Sequence, residues 1–199
     1  MAEAVAAPAL GRLVVVGLGL IGGSFAKGLR DKGLFREVIG VDLDPESRRM
    51  AVELGVVDRC EEDLAAACVG ADVIQLAVPI LAMQKLLRAL AQLPLGDAVL
   101  TDVGSAKGNV VRAAALAFDG VPPRFVPGHP IAGSEQSGVE ASNGQLFRRH
   151  KVILTPLADT DGAALQMVDR LWRELGADVE HMDVEHHDEV LAATSHLPH

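Results

Sequence analysis

The chain is poor in cysteine and has no excess of basic residues, and both shortages narrow what it can do. Its 199 residues include two cysteines, Cys60 and Cys68. Their spacing matches neither a zinc motif nor a redox pair, which indicates a reduced protein of the cytoplasm. Lys and Arg number 18 against 27 Asp and Glu, a net charge of -9. Nucleic acids and anionic membranes require clustered Lys and Arg, so neither is an expected partner, whereas small anions can still bind backbone amides.

Long apolar runs are absent as well. No uninterrupted stretch approaches the roughly 20 residues that a membrane helix needs, and the apolar segment 72–83 is broken by Gln75 and Pro79. The N-terminal segment MAEAVAAPAL has Glu3 and no basic region, so it is not typical of a signal peptide. We expect residues 1–10 to form a disordered tail. The rest has room for one full-sized domain and the start of a second.

What the sequence does contain is a regular alternation of short apolar runs and helix-period segments between residue 12 and about residue 182. Near-continuous Val, Ile and Leu runs are typical of strands that are buried on both faces of a parallel sheet. The alternation therefore predicts an α/β fold with a doubly wound, Rossmann-type parallel sheet over residues 11–182. The predicted strands are RLVVVG, EVIGVD, ADVIQLAV, AVLTDV, RFVPG, KVILTP and GADVEHM, and the predicted helices include 80–92, 105–118, 161–174 and 184–197, with a further one capped by Asp44 and closed by Gly55.

A G-x-G-x-x-G motif follows the first predicted strand and opens the first predicted helix. Gly17 would permit the tight turn, Gly19 would let a pyrophosphate approach the backbone, and Gly22 would let helix and strand pack closely. The pattern alone is weak, and a plain glycine turn is the alternative. Its position between strand and helix favours a dinucleotide site. The predicted cofactor-binding residues are Gly17, Gly19, Leu20, Ile21, Gly22, Asp42, Val78, Pro79 and Ser105.

Asp42 ends the second predicted strand, 20 residues beyond Gly22. A carboxylate at this point can accept hydrogen bonds from both ribose hydroxyls of adenosine, and it repels a 2'-phosphate. This predicts NAD as the cofactor in preference to NADP. Arg48 and Arg49 follow one helical turn later and could soften that preference.

Polar clusters follow several predicted strands, at the edge where open α/β sheets bind their ligands. Ser105 follows the fifth strand, and His129 lies between Pro127 and Pro130 in the stretch PGHPIAGSEQSG, which we expect to be an irregular loop. A histidine held in this way can accept a proton near neutral pH. On spacing alone, a helix cap for Ser105, a bracing loop histidine for His129 and a surface acid for Glu135 are equally good interpretations.

Four stretches occur in a distinctive order: GLGLIGGS at 17–24, TDVGSAKG at 101–108, GHPIAGSE at 128–135 and SHLPH at 195–199. Together they resemble the prephenate dehydrogenase family, with its arogenate and cyclohexadienyl variants, over nearly the whole chain. The glycine stretch is shared by many dehydrogenases, whereas HPIAGSE followed by SHLPH is specific.

The resemblance implies NAD-dependent oxidative decarboxylation of prephenate to 4-hydroxyphenylpyruvate, or of arogenate to tyrosine, in tyrosine biosynthesis. It implies that His129 is the hydrogen-bond acceptor or the base at the substrate hydroxyl and that Ser105 supports it. Substrate-binding roles are implied for Glu135, Ser134 and His196.

The family continues after SHLPH into an all-helical domain that forms a homodimer and supplies an arginine for the substrate carboxylate. In this sequence, residues 183–199 resemble only the first helix of that domain. We therefore expect the activity of this chain by itself, and its preference between prephenate and arogenate, to depend on a region that the sequence does not contain.

Three alternatives stay open at this point. A metal site could use the histidines at 181, 186, 187, 196 and 199, but no cysteine joins them and neighbouring helical positions face different ways, so no metal is expected. Another NAD(P) dehydrogenase of the β-hydroxyacid type would place a catalytic lysine on a later helix, and no comparable lysine follows residue 151. A non-catalytic NAD-sensing module would leave His129 and Ser105 without a role.

Overall fold

The computed structural model describes residues 10–195, and its largest element is a six-stranded, fully parallel sheet in the order β3-β2-β1-β4-β5-β6. This is the strand order of the Rossmann fold, so the predicted fold class is confirmed. The strands are β1 Leu10–Val16, β2 Phe35–Val41, β3 Arg59–Glu61, β4 Val73–Leu76, β5 Val99–Asp102 and β6 Phe125–Val126.

Helices cover both faces of this sheet. They are α1 Leu20–Asp31, α2 Pro45–Glu53, α3 Leu64–Cys68, α4 Ile80–Ala91, α5 Lys107–Phe118, α6 Gly162–Glu174 and α7 Val184–Ser195, with one 3-10 turn at Val139–Ala141. Successive β1 side chains enter opposite cores: Leu13 and Val15 pack in one cluster, Val14 and Val16 in the other. Burial on both faces explains why the strand reads as a continuous apolar run.

A separate three-stranded sheet lies beside the main one, in the order β7-β8-β9. Its strands are β7 Gly128–Pro130, β8 Lys151–Leu154 and β9 Asp178–His181, with β7 antiparallel and β9 parallel to β8. The prediction of one parallel sheet was therefore wrong for the last two strands. The prediction of an irregular loop from residue 127 onward was also wrong for 128–130. Pro127 has no N–H to donate, so the ladder with β5 ends at Val126 and the chain leaves the main sheet.

Element boundaries otherwise follow the sequence signals closely. Asp44 caps α2 by accepting the amides of Glu46 and Ser47, and Gly55 follows the helix at a φ of 68°. The sequence signals missed the short elements β3 and α3. Leu10, assigned to the tail, is already in β1, and the rest of that predicted tail lies outside the described residues. Among residues 10–195, no helix has the length and apolarity to cross a membrane.

Candidate active site

The glycine motif forms a tight turn between β1 and α1. At Gly17 the φ is 96°, and a Cβ there would lie 2.3 Å from the carbonyl oxygen of Ala77. A Cβ on Gly22 would lie 2.0 Å from the carbonyl oxygen of Gly17. These two glycines are therefore required by the packing itself. Gly19 differs, because a Cβ there would meet nothing within 4 Å among the described atoms. The open space at Gly19 is where a pyrophosphate would approach the backbone.

The N-terminus of α1 is open to an anion. Gly19 is the N-cap, and within the described part of the chain no side chain caps this helix and no acid stands in its first turn. The first-turn amides, including those of Leu20 and Ile21, therefore have no helical partner and carry the positive end of the dipole. Together with the space at Gly19, they fit a phosphate group.

Asp42 is fixed at the edge of a cavity of about 640 Å³. One carboxylate oxygen accepts the amide of Leu18 at 2.8 Å, and the other accepts the amide of Asp44 at 2.9 Å. Each oxygen keeps capacity for a further donor such as a ribose hydroxyl. The cavity is lined by Gly17, Gly19, Asp42, Glu62, Val78, Pro79 and the apolar side chains of Leu64, Ala82 and Leu86.

The two arginines after Asp42 are already paired. Arg48 donates to the carbonyl oxygen of Asp42 at 2.8 Å and lies 2.9 Å from Glu62. Arg49 pairs with Glu46 and with Glu53. The cavity therefore presents the carboxylates of Asp42 and Glu62 and the ammonium of Lys85, while the nearby guanidinium groups are engaged with other partners. A carboxylate at the position of Asp42, directly after β2, disfavours a bound 2'-phosphate.

His129, on β7, begins a chain of hydrogen bonds that runs into α7. Its Nδ1 lies 2.9 Å from Nε2 of His187, and the two rings meet edge to face with centroids 5.1 Å apart. His187 is fully buried, and its Nδ1 lies 2.8 Å from Oδ1 of Asp188. The sequence offers His187 only as a possible metal ligand and predicts no role for Asp188. The adjacent letters HHD on a predicted helix were the only local signal.

Asp188 also caps a helix other than its own. Its two carboxylate oxygens accept the amides of Lys107 at 3.1 Å and Gly108 at 2.9 Å, which are the first two residues of α5. Ser105, considered as a cap, lies two residues before α5 and is exposed. Within residues 10–195 its hydroxyl has no hydrogen-bond partner. Because α7 supplies the cap, the Ser105 hydroxyl is free for a ligand.

The surroundings of His129 and Asp188 shift the pKa values of both residues. Burial lowers the pKa of His129 to about 4, with contributions in the same direction from His187 and Lys107 and an opposing one from Asp188. For Asp188, burial acts to raise the pKa, but hydrogen bonds from His187 and from the amides of Gly108 and Lys107 leave the pKa lowered. His129 is therefore neutral and Asp188 ionised.

A buried ion pair holds β7 against the end of β5. The Lys107 ammonium lies 2.5 Å from Asp102 and 2.5 Å from the carbonyl oxygen of Gly128, and both side chains are fully buried. Asp102 also accepts the amides of Gly104 and Gly128. Burial lowers the pKa of Lys107, and Asp102 opposes that shift. His129 is the next residue, so this pair fixes its backbone. Both members of the pair lie within TDVGSAKG, but the spacing of that stretch does not predict a buried ion pair.

Two of the predicted substrate residues do not line the pocket at His129. Ser134 and Glu135 are exposed on the loop after β7, where the Ser134 hydroxyl accepts the amide of Gln136 at 2.9 Å. Neither lines the shallow pocket of about 450 Å³ beside His129, which is formed by His129, Pro130, Ile131, Ala132, Gly133, His150 and Leu191. His196 lies outside the described residues. The substrate roles of all three stay predictions.

Two of the histidines considered as metal ligands have other partners. His181 lies 2.7 Å from Asp169, and His187 bonds His129 and Asp188. Among residues 10–195 no group of three or more His, Cys, Asp or Glu side chains is placed to hold a metal ion.

Comparison with known proteins agrees with this geometry. A family model described as the nucleotide-binding domain of prephenate dehydrogenase matches residues 25–181. The chain is 37% identical to the cyclohexadienyl dehydrogenase of Zymomonas mobilis over 188 residues, which cover 94% of this chain and 63% of that protein.

Solved structures give the same result. The prephenate dehydrogenase of Aquifex aeolicus matches with a TM-score of 0.86 and 41% identity, over 94% of this chain and 66% of that one. The same enzyme in complex with hydroxyphenyl propionate and NAD+ matches with a TM-score of 0.83 and 40% identity, over 90% of this chain and 62% of that one. The chain thus spans less than two thirds of each relative. A 3-hydroxyacyl-CoA dehydrogenase from Archaeoglobus fulgidus, at 18% identity and a TM-score of 0.61, shares the fold alone.

Proposed function

Because the chain belongs to the prephenate dehydrogenase family through its nucleotide-binding domain, we propose that it carries the NAD site and the proton acceptor of a prephenate or arogenate dehydrogenase. The reaction is the oxidative decarboxylation of prephenate to 4-hydroxyphenylpyruvate, or of arogenate to tyrosine, in tyrosine biosynthesis. The observation that carries the proposal is the state of His129, a neutral histidine whose Nδ1 is hydrogen-bonded to His187 and which lines a pocket. The cavity at the glycine turn of the same domain supplies the cofactor site.

The cofactor is proposed to lie along the carboxyl edge of the main sheet. The amides of Leu20 and Ile21 and the space at Gly19 would hold its pyrophosphate, and Asp42 its adenosine ribose. Val78 and Pro79 line the cavity beyond, and Ser105 follows the neighbouring strand. When bound, NAD supplies a hydride acceptor at C4 of its nicotinamide.

His129 is proposed to hold and return one proton. As hydride leaves the ring carbon that bears the hydroxyl, the hydroxyl proton moves to His129 and the oxygen becomes a carbonyl. The ring carboxylate departs as carbon dioxide, and its bonding electron pair enters the ring, which becomes aromatic. The oxygen then takes a proton back from His129 as the phenol forms. The net products are the phenol, carbon dioxide and NADH, so no proton remains on the protein. A base that starts neutral, as His129 does, suits this cycle.

The other site residues assist around this centre in the proposal. The free hydroxyl of Ser105 would orient the substrate hydroxyl or the nicotinamide. Glu135, Ser134 and His196 would form walls of the substrate pocket once a substrate orders the loop around it.

The proposed enzyme is a homodimer in its complete form, assembled through a helical region that begins with α7. Val190 leaves 37% of its surface exposed on this helix, which suits packing against further helices. Sedimentation equilibrium of this chain, alone and fused to the C-terminal part of the Zymomonas mobilis relative, tests this: the fusion is expected to be the tighter dimer.

The function is tested in two measurements. Calorimetry should detect NAD binding by this chain. The fusion to the C-terminal part of the relative should reduce NAD when given prephenate or arogenate. NAD binding without turnover of either substrate would favour a sensing module. The absence of NAD binding would reject the cofactor site and the proposal with it.

A further inference from the structure

We propose that His187 and Asp188 are positioning residues that set the tautomer of His129, leaving its Nε2 bare as the proton-accepting atom. The catalytic meaning of this inference rests on the proposed function. The tautomer itself is a property of the folded chain and can be measured without any substrate.

The argument starts at the carboxylate of Asp188. Both of its oxygens already accept backbone amides, from Lys107 and Gly108, and an ionised carboxylate can only accept hydrogen bonds. The ring nitrogen of His187 that lies 2.8 Å from Oδ1 must therefore be the donor. This fixes the proton of His187 on Nδ1.

The next contact carries that choice to His129. A neutral imidazole has one N–H, so with the proton on Nδ1 the Nε2 of His187 is an acceptor. The atom that faces it at 2.9 Å is Nδ1 of His129, which must then donate. A neutral His129 that donates through Nδ1 has no proton left on Nε2. His129 thus donates to His187, and His187 donates to Asp188.

Burial makes this order selective. His187 is fully buried, so no water competes for either of its nitrogens, and an unmatched pair of donors or acceptors inside the protein would be costly. The Nε2–H tautomer of His129 would place two lone pairs, those of His129 Nδ1 and His187 Nε2, against each other. That clash disfavours the tautomer that cannot accept a proton from a substrate.

The same arrangement offsets part of the cost of the positive charge that His129 gains during turnover. The groups that act on its pKa are His187, Lys107 and Asp188, and the Lys107 ammonium is itself paired with Asp102. The imidazole of His150 lines the same pocket. Burial, His187 and Lys107 oppose a proton on His129, whereas Asp188, which contacts the far side of the His187 ring, favours it. The Asp188 carboxylate therefore acts on His129 through the intervening His187 ring. It orients the base and stabilises its imidazolium form.

The test is a nitrogen-15 NMR spectrum of the imidazoles in the whole chain, with the His129 signals assigned by their loss in His129→Gln. In the wild type, at a pH where imidazoles are neutral, we expect His129 to show a protonated Nδ1 and a bare Nε2. His187→Leu removes the acceptor, so His129 should move toward the Nε2–H form that free histidine favours. His187→Gln keeps an acceptor oxygen and should preserve the wild-type tautomer.

A matched control and an activity measurement complete the design. His186→Leu changes an exposed histidine on the same helix and should leave the His129 spectrum unchanged. In the active fusion, His187→Leu should lower kcat by roughly 10²–10⁴-fold at unchanged KM, the range for loss of a correctly oriented base, and His187→Gln should recover part of it.

The wild-type spectrum alone can overturn the inference, so it does not depend on the folding of His187→Leu. A wild-type His129 protonated on Nε2 would reject it, as would a folded His187→Leu variant that keeps the Nδ1–H tautomer. The expected tautomer without turnover in the fusion would instead reject the proposed function and leave the inference standing.

Discussion

Lys107 at the start of α5 and Asp102 at the end of β5 form an ion pair whose two side chains have no exposed surface. The pair also bonds both the amide and the carbonyl of Gly128. A strand of only three residues, β7, is thereby joined to the main sheet at the residue before the proposed proton acceptor.

We expect Lys107→Met to lower the free energy of unfolding by about 3–5 kcal/mol, because it leaves the Asp102 carboxylate buried without a counter-charge. Adding Asp102→Asn should restore part of the loss, since the uncompensated charge is then gone. Urea unfolding measures both. The control is Lys151→Met, which breaks an exposed pair with Glu180 and should cost no more than about 1 kcal/mol. Equal losses of unfolding free energy in Lys107→Met and Lys151→Met would contradict a stabilising role for the buried pair.

Two glycines of the turn should respond differently to substitution, one in stability and the other in cofactor binding. Gly22→Ala would place a methyl group 2.0 Å from the Gly17 oxygen, and it should destabilise the chain by about 1–3 kcal/mol or more. Gly19→Ala enters open space at a φ of -81°, so stability should change by no more than about 0.5 kcal/mol. The methyl group there should nevertheless weaken NAD binding by roughly 10-fold or more, since it occupies the path of the pyrophosphate. Thermal unfolding and calorimetry together check the pair; tight NAD binding by folded Gly19→Ala would move the cofactor elsewhere.

Asp42 determines the cofactor preference in our proposal. Asp42→Asn removes the charge and should weaken NAD binding by roughly 10-fold, because hydrogen bonds to a charged acceptor are worth about 1.5–3 kcal/mol. The difference between NAD and NADP affinities should narrow, since the repulsion of a 2'-phosphate is lost. Asp44→Asn, which removes a charge two residues away while keeping a good N-cap, should leave both affinities unchanged. Calorimetric titration with each cofactor decides the matter, and identical behaviour of the two variants would exclude a ribose contact.

The depressed pKa of His129 predicts how stability varies with pH. The unfolded chain binds a proton on this histidine near its ordinary pKa of 6.5, whereas the folded chain does so only near about 4. Between these values the unfolded state holds more protons, so this residue makes the folded state less stable as the pH falls through that window. His129→Gln should remove this part of the slope. Urea unfolding of both proteins across the window measures the difference, and parallel curves would mean that the histidine titrates normally in the folded chain.

The rate of the reaction should also depend on His129. His129→Asn in the active fusion is expected to lower kcat by roughly 10²–10⁴-fold with little change in the affinities for substrate and NAD. In the wild type, kcat/KM should fall at acid pH as the buried imidazole is protonated, with a midpoint near its pKa of about 4, well below the ordinary histidine value. The variant should not show this acid limb of the pH profile. A folded variant with near wild-type kcat and an unchanged limb would assign the proton to another residue.

The sequence was a good guide wherever a residue acts on its near neighbours. The order of strands and helices, the cap at Asp44 and the turn at Gly17 and Gly22 all follow from local spacing and steric limits. The position of Asp42 beside the glycine turn follows too, because neighbouring parallel strands end at the same edge.

Contacts between distant segments were not readable in the same way. Nothing in the pattern of apolar residues states that β8 pairs with β7 instead of joining the main sheet. The bond between His129 and His187 joins residues 58 positions apart, and Asp188 caps a helix 80 positions earlier. A cap is expected just before its helix, so the sequence directed attention to Ser105 and away from α7.

The position of α7 has a practical consequence for anyone who treats the nucleotide-binding domain as an interchangeable part. The family model for that domain ends at residue 181, before both groups that orient His129. A cut at that boundary keeps the sheet, the glycine turn and Asp42, and so should keep the cofactor. The same cut would remove His187 and Asp188, so the proton of His129 could occupy either ring nitrogen. Recombination between relatives should therefore be planned with the junction after residue 188, because a boundary drawn from the fold divides the acid–base machinery between two parents.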